Sequence, residues 1–461
     1  VIDERGRLTG DVGEYQGLKV AEARVKISHA MQELGIIQKI EPNYKHNVAT
    51  CYKCGNTLEP LPKPQWFVKA APLAKPAIEA VKKGKIKIVP DRMKKVYFHW
   101  MENIRDWNIS RQIVWGIRIP AYFCLQCTGV KVNPEIQSHW YLVRHGETDW
   151  NKERRNIGQI DVPLNETGIA QAKKLAEQFR HKKIDLVLSS DLSRARQTAE
   201  IIAKATGAEL VIDPKLKEIN AGMAQGMLED DSNKIHGHIW KGYEEQFPGG
   251  ESWKEFEKRI WHAFEAHKKR YAHRNAVLVS HADAMKMLLK NLKRLDSPSA
   301  LNLADNHHGR ALEFALTATP CAKCGGDIFE QDPDVFDTWF SSGQWPFATL
   351  MANGKEQMAK SNDFKTFYPT SVMETGYDIL FFWVARMVML GLYCTGKIPF
   401  KNVYLHGLVR DKDRQKMSKS KGNVIDPLGV AAEYGTDAVR MALVVGNTPG
   451  NDVVISEDKI R

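Results

Sequence analysis

The sequence predicts an α/β protein in which one α/β domain is inserted into another. Short apolar stretches, each long enough for a buried strand, alternate with segments of helical periodicity in the insert and in the surrounding host sequence. Two Cys-x-x-Cys pairs bracket the insert and lie 194 positions apart: Cys124/Cys127 and Cys321/Cys324. Because two such pairs normally complete one site together, their separation indicates an insertion between them, from about residue 138 to 317.

Length and composition fit a soluble globular protein of several domains. The chain has 461 residues, enough for roughly two to four domains, with 43% hydrophobic and 26% charged residues. Its net charge of +11 suits a polyanionic partner, although plain soluble proteins also carry such an excess. We find no signal-peptide pattern and expect no apolar run long enough to cross a membrane. We expect a cytoplasmic monomer and, since Val1 lies inside structured sequence, an internal fragment of a longer protein.

Six of the seven cysteines form Cys-x-x-Cys pairs, a spacing typical of zinc sites rather than disulfides. The two pairs beside the insert can supply the four ligands of one structural zinc ion. A third pair, Cys51 and Cys54, also has the spacing of a zinc knuckle, but its partner pair is expected outside this chain, and a knuckle without metal stays open. Cys394 lies alone in an apolar stretch and is expected in the core.

A basic loop follows an apolar stretch that has the pattern of a short buried strand. It contains Lys416-Met417-Ser418-Lys419-Ser420 within the stretch HGLVRDKDRQKMSKSKGNVIDP. Two lysines three positions apart in such a loop can reach a polyphosphate as point charges. His406 and Gly407, at the strand end, would let a nucleotide approach the backbone closely. For a bare Lys-x-x-Lys pair, a solvated basic loop is the alternative.

The complete stretch resembles the KMSKS loop of class I aminoacyl-tRNA synthetases. This resemblance implies a Rossmann-like catalytic core, partly contained in this chain, and ATP with Mg²⁺ in the full enzyme. It implies that Lys416 and Lys419 stabilise the pyrophosphate leaving group and that His406 and Gly407 lie by the adenine. The remaining loop residues complete the implied ATP site: Met417, Ser418 and Ser420.

Three further stretches, DTWFSSGQWPF, FYPTS and TGYDILFFWVARM, resemble the valyl branch of that family. The resemblance implies valine and tRNA(Val) as further substrates. It also implies that Trp339 lines the amino-acid pocket, although a plain core tryptophan is the alternative. By the same resemblance, residues 1–50 end an editing domain, and 51–137 carry a catalytic segment with zinc knuckles. Residues 318–461 form the second half of the catalytic domain, with the KMSKS loop and the start of the region that contacts the tRNA stem. The HIGH segment is absent, so this fragment should not aminoacylate tRNA alone.

The insert contains three apolar stretches that end in basic residues or histidines, with Glu218 between two of them. Ligands bind at the ends of strands in an open α/β sheet. Two cations and two histidines that converge on one sheet edge would make a phosphate site with a nucleophile. The residues that follow the three stretches are Arg144 and His145, then Arg194, then His281.

This set resembles the histidine phosphatase superfamily, which includes the cofactor-dependent phosphoglycerate mutases. The resemblance implies that His145 is the nucleophile and Glu218 the proton donor, and that no cofactor is needed. The implied phosphate ligands are Arg144, Asn151, Arg194 and His281. Ala282 stands where many members carry glycine, which suggests a narrower pocket and small phosphate esters as substrates.

Four alternatives stay open on the sequence alone. The insert could be a decayed, purely structural domain, or its phosphatase activity could be the main activity, with the synthetase parts as a carrier. The chain could also bind tRNA or zinc without catalysis. A chance fusion of two genes is the fourth, but host sequence resumes in register after the insert, which argues against a random join.

Overall fold

Strands and helices alternate along the chain in a computed structural model, which describes residues 2–3, 5–41, 43–45, 47–51, 54–293, 311–351, 362–418 and 422–461. The strands are β1 Phe67–Val68, β2 Lys87–Val89, β3 Trp107–Asn108, β4 Ser110–Arg111, β5 Ala121–Cys124, β6 Val130–Val132, β7 Ile136–Arg144, β8 Leu186–Ser189, β9 Glu209–Ile212, β10 Ala276–Ser280, β11 Ala311–Thr317, β12 Ile328–Gln331, β13 Val335–Phe336, β14 Thr370–Gly376, β15 Phe400–His406, β16 Val409–Arg410 and β17 Val453–Val454. The α-helices are α1 Val20–Glu33, α2 Ala70–Lys82, α3 Met93–Glu102, α4 Asp149–Lys152, α5 Glu166–Phe179, α6 Ser193–Thr206, α7 Glu229–Lys241, α8 Trp253–Arg270, α9 Ala282–Lys293, α10 Thr338–Ser342, α11 Trp345–Ala348, α12 Asn362–Phe367, α13 Arg386–Thr395, α14 Pro427–Tyr434, α15 Thr436–Val444 and α16 Glu457–Ile460.

The chain divides into two units, one of residues 111–338 and one of residues 1–110 and 339–461. In the first unit, the described strands form a mixed sheet in the order β6-β5-β12-β11-β7-β10-β8-β9. The four strands from β7 to β9 are parallel, whereas β11, β12, β5 and β6 continue the sheet in antiparallel pairs.

The parallel strands are apolar on both faces because helices cover both sides of the sheet. Strand β8 and strand β10 are buried at every position. Alternate side chains go to two separate cores: Trp140, Leu142 and Leu278 pack with residues of α8 and α9. Tyr141, Val143 and Val279 pack instead with residues of α5 and α6. The period-2 alternation of strands thus places each neighbouring residue in a different layer.

The limits that the sequence predicts for the insert, 138 and 317, lie inside this unit rather than at its edges. The unit also contains the strands that flank the four cysteines, since β11 pairs with β12 and β12 pairs with β5. The side chains of Ile328 and Phe329 on β12 are fully buried in its cores. The strands beside the four cysteines, β5, β6 and β12, which we call the ribbon strands, therefore extend the sheet of the insert.

The second unit contains a parallel sheet of β14, β15 and β2 among its described residues. The segment Tyr377–Thr395 connects β14 to β15 and contains a π-helical turn at Leu380–Ala385 before α13. Its buried side chains pack with α2, α3 and the sheet. These strands and the connecting helix form the βα pattern that the sequence predicts.

Two sequence expectations fail in this segment. Tyr377–Thr395 is long and apolar enough to cross a membrane by length and composition alone, although we expected no such stretch. Half of its apolar window is buried in the protein, as in a core helix, so this is weak evidence for a membrane. Cys394 is exposed rather than in the core, because the buried positions of α13 end at Gly391, one turn earlier.

Candidate active sites

The three parallel strands of the first unit bring the basic residues and histidines of the insert to one sheet edge. Strand β10 lies between β7 and β8, and Ser280 is opposite Arg144 in the register. His145 and His281 therefore follow neighbouring strands at the same level, with their ring centroids 5.2 Å apart. Strand β8 leads through a short loop into α6, which begins with Ser193 and Arg194.

His145 is buried and bonded so that Nε2 can act as a base or nucleophile. Its Nδ1 lies 2.7 Å from the carbonyl oxygen of Gly146, which can only accept, so Nδ1 carries the proton. The Arg194 Nε–H donates to His145 Nε2 at 3.3 Å. Burial first, then the charge of Arg194, holds the pKa of His145 well below its usual value of 6.5. The imidazole is therefore neutral at physiological pH.

Arg194 is a fixed, buried cation. Its two terminal nitrogens donate to the carbonyl oxygens of Gly158 and Ile160, at 2.7 and 2.9 Å. Burial lowers the pKa of the guanidinium to about 10, which still leaves it charged at neutral pH. The segment Gly158–Leu164, which the sequence singles out, thus holds the arginine in place with backbone carbonyls.

His281 is also fully buried, and its Nε2 lies 2.8 Å from Ser190 Oγ. Burial and the neighbouring Arg194 hold its pKa well below 6.5. The sequence did not reveal the part that Ser190 plays in the site, because Ser190 is one of two adjacent serines where β8 ends.

Glu218 is a buried carboxyl group that lies at the N-terminus of α9. It accepts backbone hydrogen bonds from Ile219, Asp283 and Ala284, at 3.1 to 3.2 Å. Burial, and next the charge of Asp283, raises the pKa of Glu218 to about 7. Near neutral pH the carboxyl group is therefore partly protonated and can donate a proton.

Arg144, His145, Arg194 and Glu218 line a cavity of about 320 Å³, and His281 directly precedes Ala282, which also lines it. Asn151 lines it, and its Oδ1 accepts from the backbone N–H and the hydroxyl group of Thr148. Asp283, Lys286, Asn156 and Trp240 also line the cavity, and sequence reasoning missed all four. For Lys286 a signal was available, since Asp283 and Lys286 are three positions apart at the start of the helix after His281.

The four cysteines beside the insert form a group that fits one metal ion. Their Sγ atoms all lie within 4.8 Å of one another, and the Cys124–Cys324 and Cys127–Cys321 pairs are 3.5 and 3.6 Å apart. A tetrahedral site with Zn–S near 2.3 Å requires about 3.8 Å between sulfur atoms. A Cβ atom at Gly129 would lie 2.5 Å from Cys321 Sγ, so the turn needs glycine. This group includes neither Cys51 nor Cys54.

In the second unit, the parallel strands β14 and β15 end beside the basic loop. His406, at the end of β15, pairs with Glu374 of β14 at 3.2 Å. Lys416 reaches Asp378, which follows β14, at 3.1 Å and is otherwise largely exposed. Ser418 donates its backbone N–H to Asn423 at 2.9 Å, and Met417 packs against a small apolar cluster. Lys419 and Ser420 lie outside the described residues.

In this unit, Gly407 lies at a close approach of two backbone segments, and Trp339 lies in an aromatic stack. A Cβ atom at Gly407 would lie 1.7 Å from the carbonyl oxygen of Asn451, so the backbone approach there requires glycine. Trp339 is half-buried and stacks on Phe382, with ring centroids 6.1 Å apart. Phe382 belongs to the π-helical turn, a feature often found at functional sites. Trp339 is therefore not a fully buried core residue, and its place in an amino-acid pocket stays a prediction.

Comparison with known families matches both parts of the chain. Residues 8–182 and 271–456 match the tRNA synthetases class I (I, L, M and V), and residues 140–317 match the histidine phosphatase superfamily (branch 1). A valine–tRNA ligase of Solibacter usitatus is 32% identical over 461 residues, which is 100% of this chain and 32% of the relative. One from Clostridium acetobutylicum is 31% identical, over 100% of this chain and 31% of the relative.

Among solved structures, the alpha-ribazole phosphatase from Shigella flexneri is 26% identical over 39% of this chain and 91% of that chain, with a TM-score of 0.36. The chain spans about a third of the length of the two ligases. More than half of it nevertheless matches the synthetase family. The chain therefore belongs to the class I tRNA synthetases and carries within its sequence a domain that matches the histidine phosphatase superfamily.

Proposed function

We propose that the inserted domain hydrolyses small phosphate monoesters through a phosphohistidine at His145. The observation that carries the proposal is the buried Arg194 Nε–H, which lies 3.3 Å from His145 Nε2. Burial and this cation together keep the imidazole neutral, and the same cation is placed where it can bind a phosphoryl oxygen. A decayed domain would not need to keep a fixed guanidinium beside the histidine.

The steps follow from the positions of the groups. His145 Nε2 attacks phosphorus, the P–O bond to the alcohol breaks, and the leaving oxygen takes its proton from Glu218. Arg144, Arg194 and His281 bind the phosphoryl oxygens, and Asn151 contributes its amide from the cavity wall. A water molecule then attacks phosphorus, gives its proton to the Glu218 carboxylate, and displaces His145 with release of inorganic phosphate.

The test is release of phosphate from p-nitrophenyl phosphate by the purified chain. His145→Ala should abolish the release, whereas His262→Ala, on the exposed part of α8, serves as the matched control. A phosphorylated His145 should also be trapped by quenching the reaction in alkali, because the P–N bond of phosphohistidine is stable in base and hydrolyses in acid. Equal release by parent and His145→Ala would exclude this residue as the nucleophile.

We further propose that the host sequence is part of a valine–tRNA ligase, which activates valine with ATP and Mg²⁺ and esterifies tRNA(Val). The match to the class I family and to valine–tRNA ligases supports this proposal. Lys416 and Lys419 would stabilise pyrophosphate as it leaves, because adenylation develops charge on the phosphate oxygens. In the free protein, the contact of Lys416 with Asp378 would hold the lysine near the strand ends.

The other residues of this proposed ligase have separate tasks. His406 and Gly407 would lie beside the adenine, with Met417, Ser418 and Ser420 in the surrounding loop, and Trp339 would contact valine. Cys124, Cys127, Cys321 and Cys324 would hold a structural zinc ion, for which their spacing in the fold is suitable. A single metal ion would then join the two sequence segments that flank the insert.

The test is an ATP–pyrophosphate exchange assay on a protein in which this chain is joined to the remaining segments of a valine–tRNA ligase. Replacing Lys416 and Lys419 by alanine should lower valine-dependent ATP–pyrophosphate exchange mainly through kcat, since their charges matter most in the transition state. Lys412→Ala, in the same loop, is the control. Exchange that is the same in the double variant and in the control would remove both lysines from the mechanism.

A further inference from the structure

Asn156 has a buried amide nitrogen for which the described residues supply no acceptor. It lines the cavity of the insert, and its Nδ2 atom is buried without a hydrogen-bond acceptor among the described residues. The backbone around it is fixed, because Asn156 donates its N–H to Met227 at 2.9 Å and accepts from Gly226 at 2.7 Å. A buried donor without an acceptor destabilises a fold, so a bound ligand that supplies an oxygen atom would remove this cost.

Lys286 is a second donor on the wall of the same cavity. Its Nζ contacts Asp283 Oδ1 at 2.8 Å, and about a quarter (26%) of the side chain is exposed. An ammonium group has three N–H donors, so the contact with Asp283 leaves capacity for a ligand. The charge of Asp283 raises the pKa of Lys286, so the ammonium group is charged at neutral pH, and it lines the same cavity as Arg144.

Neither residue is needed for the phosphoryl chemistry, which Arg144, Arg194, His145, His281 and Glu218 perform. Donors that remain on the cavity wall are available to the alcohol part of the ester. We infer that Asn156 and Lys286 recognise the leaving group, and that the substrates are monoesters of aliphatic alcohols with further oxygen acceptors, such as hydroxyl or carboxylate groups, near the ester carbon. This inference rests on the proposed phosphatase function.

Selectivity among phosphate esters would come from the free-energy cost of leaving a buried hydrogen-bond donor without an acceptor. A site built to hydrogen-bond a polar substrate rejects an analogue that lacks the polar group, because the buried donors are then left without partners. An aliphatic ester without acceptors would leave Asn156 Nδ2 unbonded and would place methyl or methylene groups beside a lysine. An alcohol with adjacent hydroxyl groups satisfies both donors.

A matched pair of substrates tests this inference. Glycerol 1-phosphate and n-propyl phosphate have the same carbon chain and differ only in two hydroxyl groups. In the parent chain, kcat/KM should favour glycerol 1-phosphate by at least about tenfold. Asn156→Ala and Lys286→Met should each reduce this ratio several-fold. Lys234→Met, an exposed lysine of α7, is the control for the second change and should keep the ratio.

The melting temperature of Asn156→Ala and the dependence of hydrolysis on His145 distinguish failure of this inference from failure of the phosphatase proposal. Asn156→Ala should melt at the same temperature as the parent or higher, since it removes a buried donor that the fold does not use. If neither ester is hydrolysed in a His145-dependent manner, the phosphatase proposal fails. If both are hydrolysed and the ratio is near one, or is the same in both variants as in the parent, leaving-group recognition by Asn156 and Lys286 is overturned.

Replacing the terminal hydroxymethyl group of the substrate by a carboxylate, with the middle hydroxyl group kept, separates the parts played by the two donors. The substrate for this arm is 3-phosphoglycerate, compared with glycerol 1-phosphate in the same assay. Because an ammonium group binds a carboxylate more strongly than an amide does, Lys286→Met should reduce kcat/KM for 3-phosphoglycerate more than for glycerol 1-phosphate. An equal effect on the two substrates would overturn the part assigned to Lys286.

Discussion

The pKa of Glu218 is set by two opposing influences, the backbone N–H groups of α9 on one side and burial with the charge of Asp283 on the other. The backbone hydrogen bonds from α9 favour the carboxylate, whereas burial and the charge of Asp283 favour the acid. The balance raises the pKa from 4.5 to about 7. Below pH of about 7 the acid form is present, and above it the proton donor is lost.

The rate of phosphate release should follow this titration. We expect kcat/KM to be nearly flat between about pH 5.5 and 6.5 and to fall above about pH 7. The acid side should not show the titration of His145, because its pKa lies well below 6.5. Glu218→Gln should lower the rate by about 10²–10⁴-fold, and should remove the alkaline decrease.

Glu177→Gln, at an exposed position of α5, is the control for the Glu218→Gln change.

The raised pKa of Glu218 also affects stability, since the unfolded chain releases the Glu218 proton at lower pH than the folded chain. Its contribution to stability therefore decreases as the pH rises from about 4.5 to about 7. A Glu218→Gln variant that keeps the parent's alkaline decrease would exclude Glu218 as the titrating group.

At the residue scale, the sequence allowed us to name the groups that follow each strand, and the structure brings His145, Arg194 and His281 together. It could not show the partners that come from other loops. Asp378 beside Lys416 is one example, and Ser190 beside His281 is another. Such pairs depend on which turns meet in space, and neither periodicity nor motif spacing contains that information.

At the scale of elements, the antiparallel strands link the four cysteines to the parallel strands that precede His145 and His281. Strand β5 ends at Cys124 and pairs with β12, which pairs with β11, which pairs along most of its length with β7. Strand β7 in turn ends immediately before His145. The sequence predicts the individual apolar stretches, but pairing between strands so distant in sequence is a long-range property that local patterns do not specify.

Loss of the metal should therefore destabilise the whole first unit. Cys321→Ser with Cys324→Ser should reduce bound zinc, measured by elemental analysis, and lower the melting temperature. A loss of about 3 kcal/mol corresponds to roughly 6–12 °C for a domain of this size. Phosphate release should persist at low temperature, because the cysteines do not contact the cavity.

Cys394→Ser, at an exposed position outside the cysteine group, is the control. The idea that the ribbon stabilises the unit would be refuted by a double variant that binds no zinc and melts at the parent's temperature. Removal of zinc from the parent with a chelator should give the same shift as the double variant.

At the scale of the whole molecule, the sequence and the structure give different boundaries for the inserted domain. The limits 138 and 317 come from sequence resemblance, whereas the unit in the structure extends from 111 to 338. The difference consists of β5, β6, β12 and β13 and the four cysteines. Sequence patterns locate the insert because its motifs are specific, but they cannot tell which flanking strands complete its sheet.

We expect residues 111–338 to fold without the rest of the chain and to release phosphate from p-nitrophenyl phosphate at a rate close to that of the whole chain. Residues 138–317 alone should be much less stable. Without β12, the side of β11 that carries Ala315 and Leu316 loses its partner strand, and an unpaired strand edge promotes aggregation. Buried side chains such as Ile328 and Phe329 are also lost from the cores.

Thermal melting, size-exclusion chromatography and phosphate release measured on both segments would test this expectation. The longer segment should be a soluble species with one cooperative transition, whereas the shorter one should melt at least several degrees lower or aggregate. Equal melting temperatures would mean that the ribbon strands do not stabilise the insert. In that case their pairing with β11 would contribute nothing measurable, and the boundaries read from the sequence would be the physical ones.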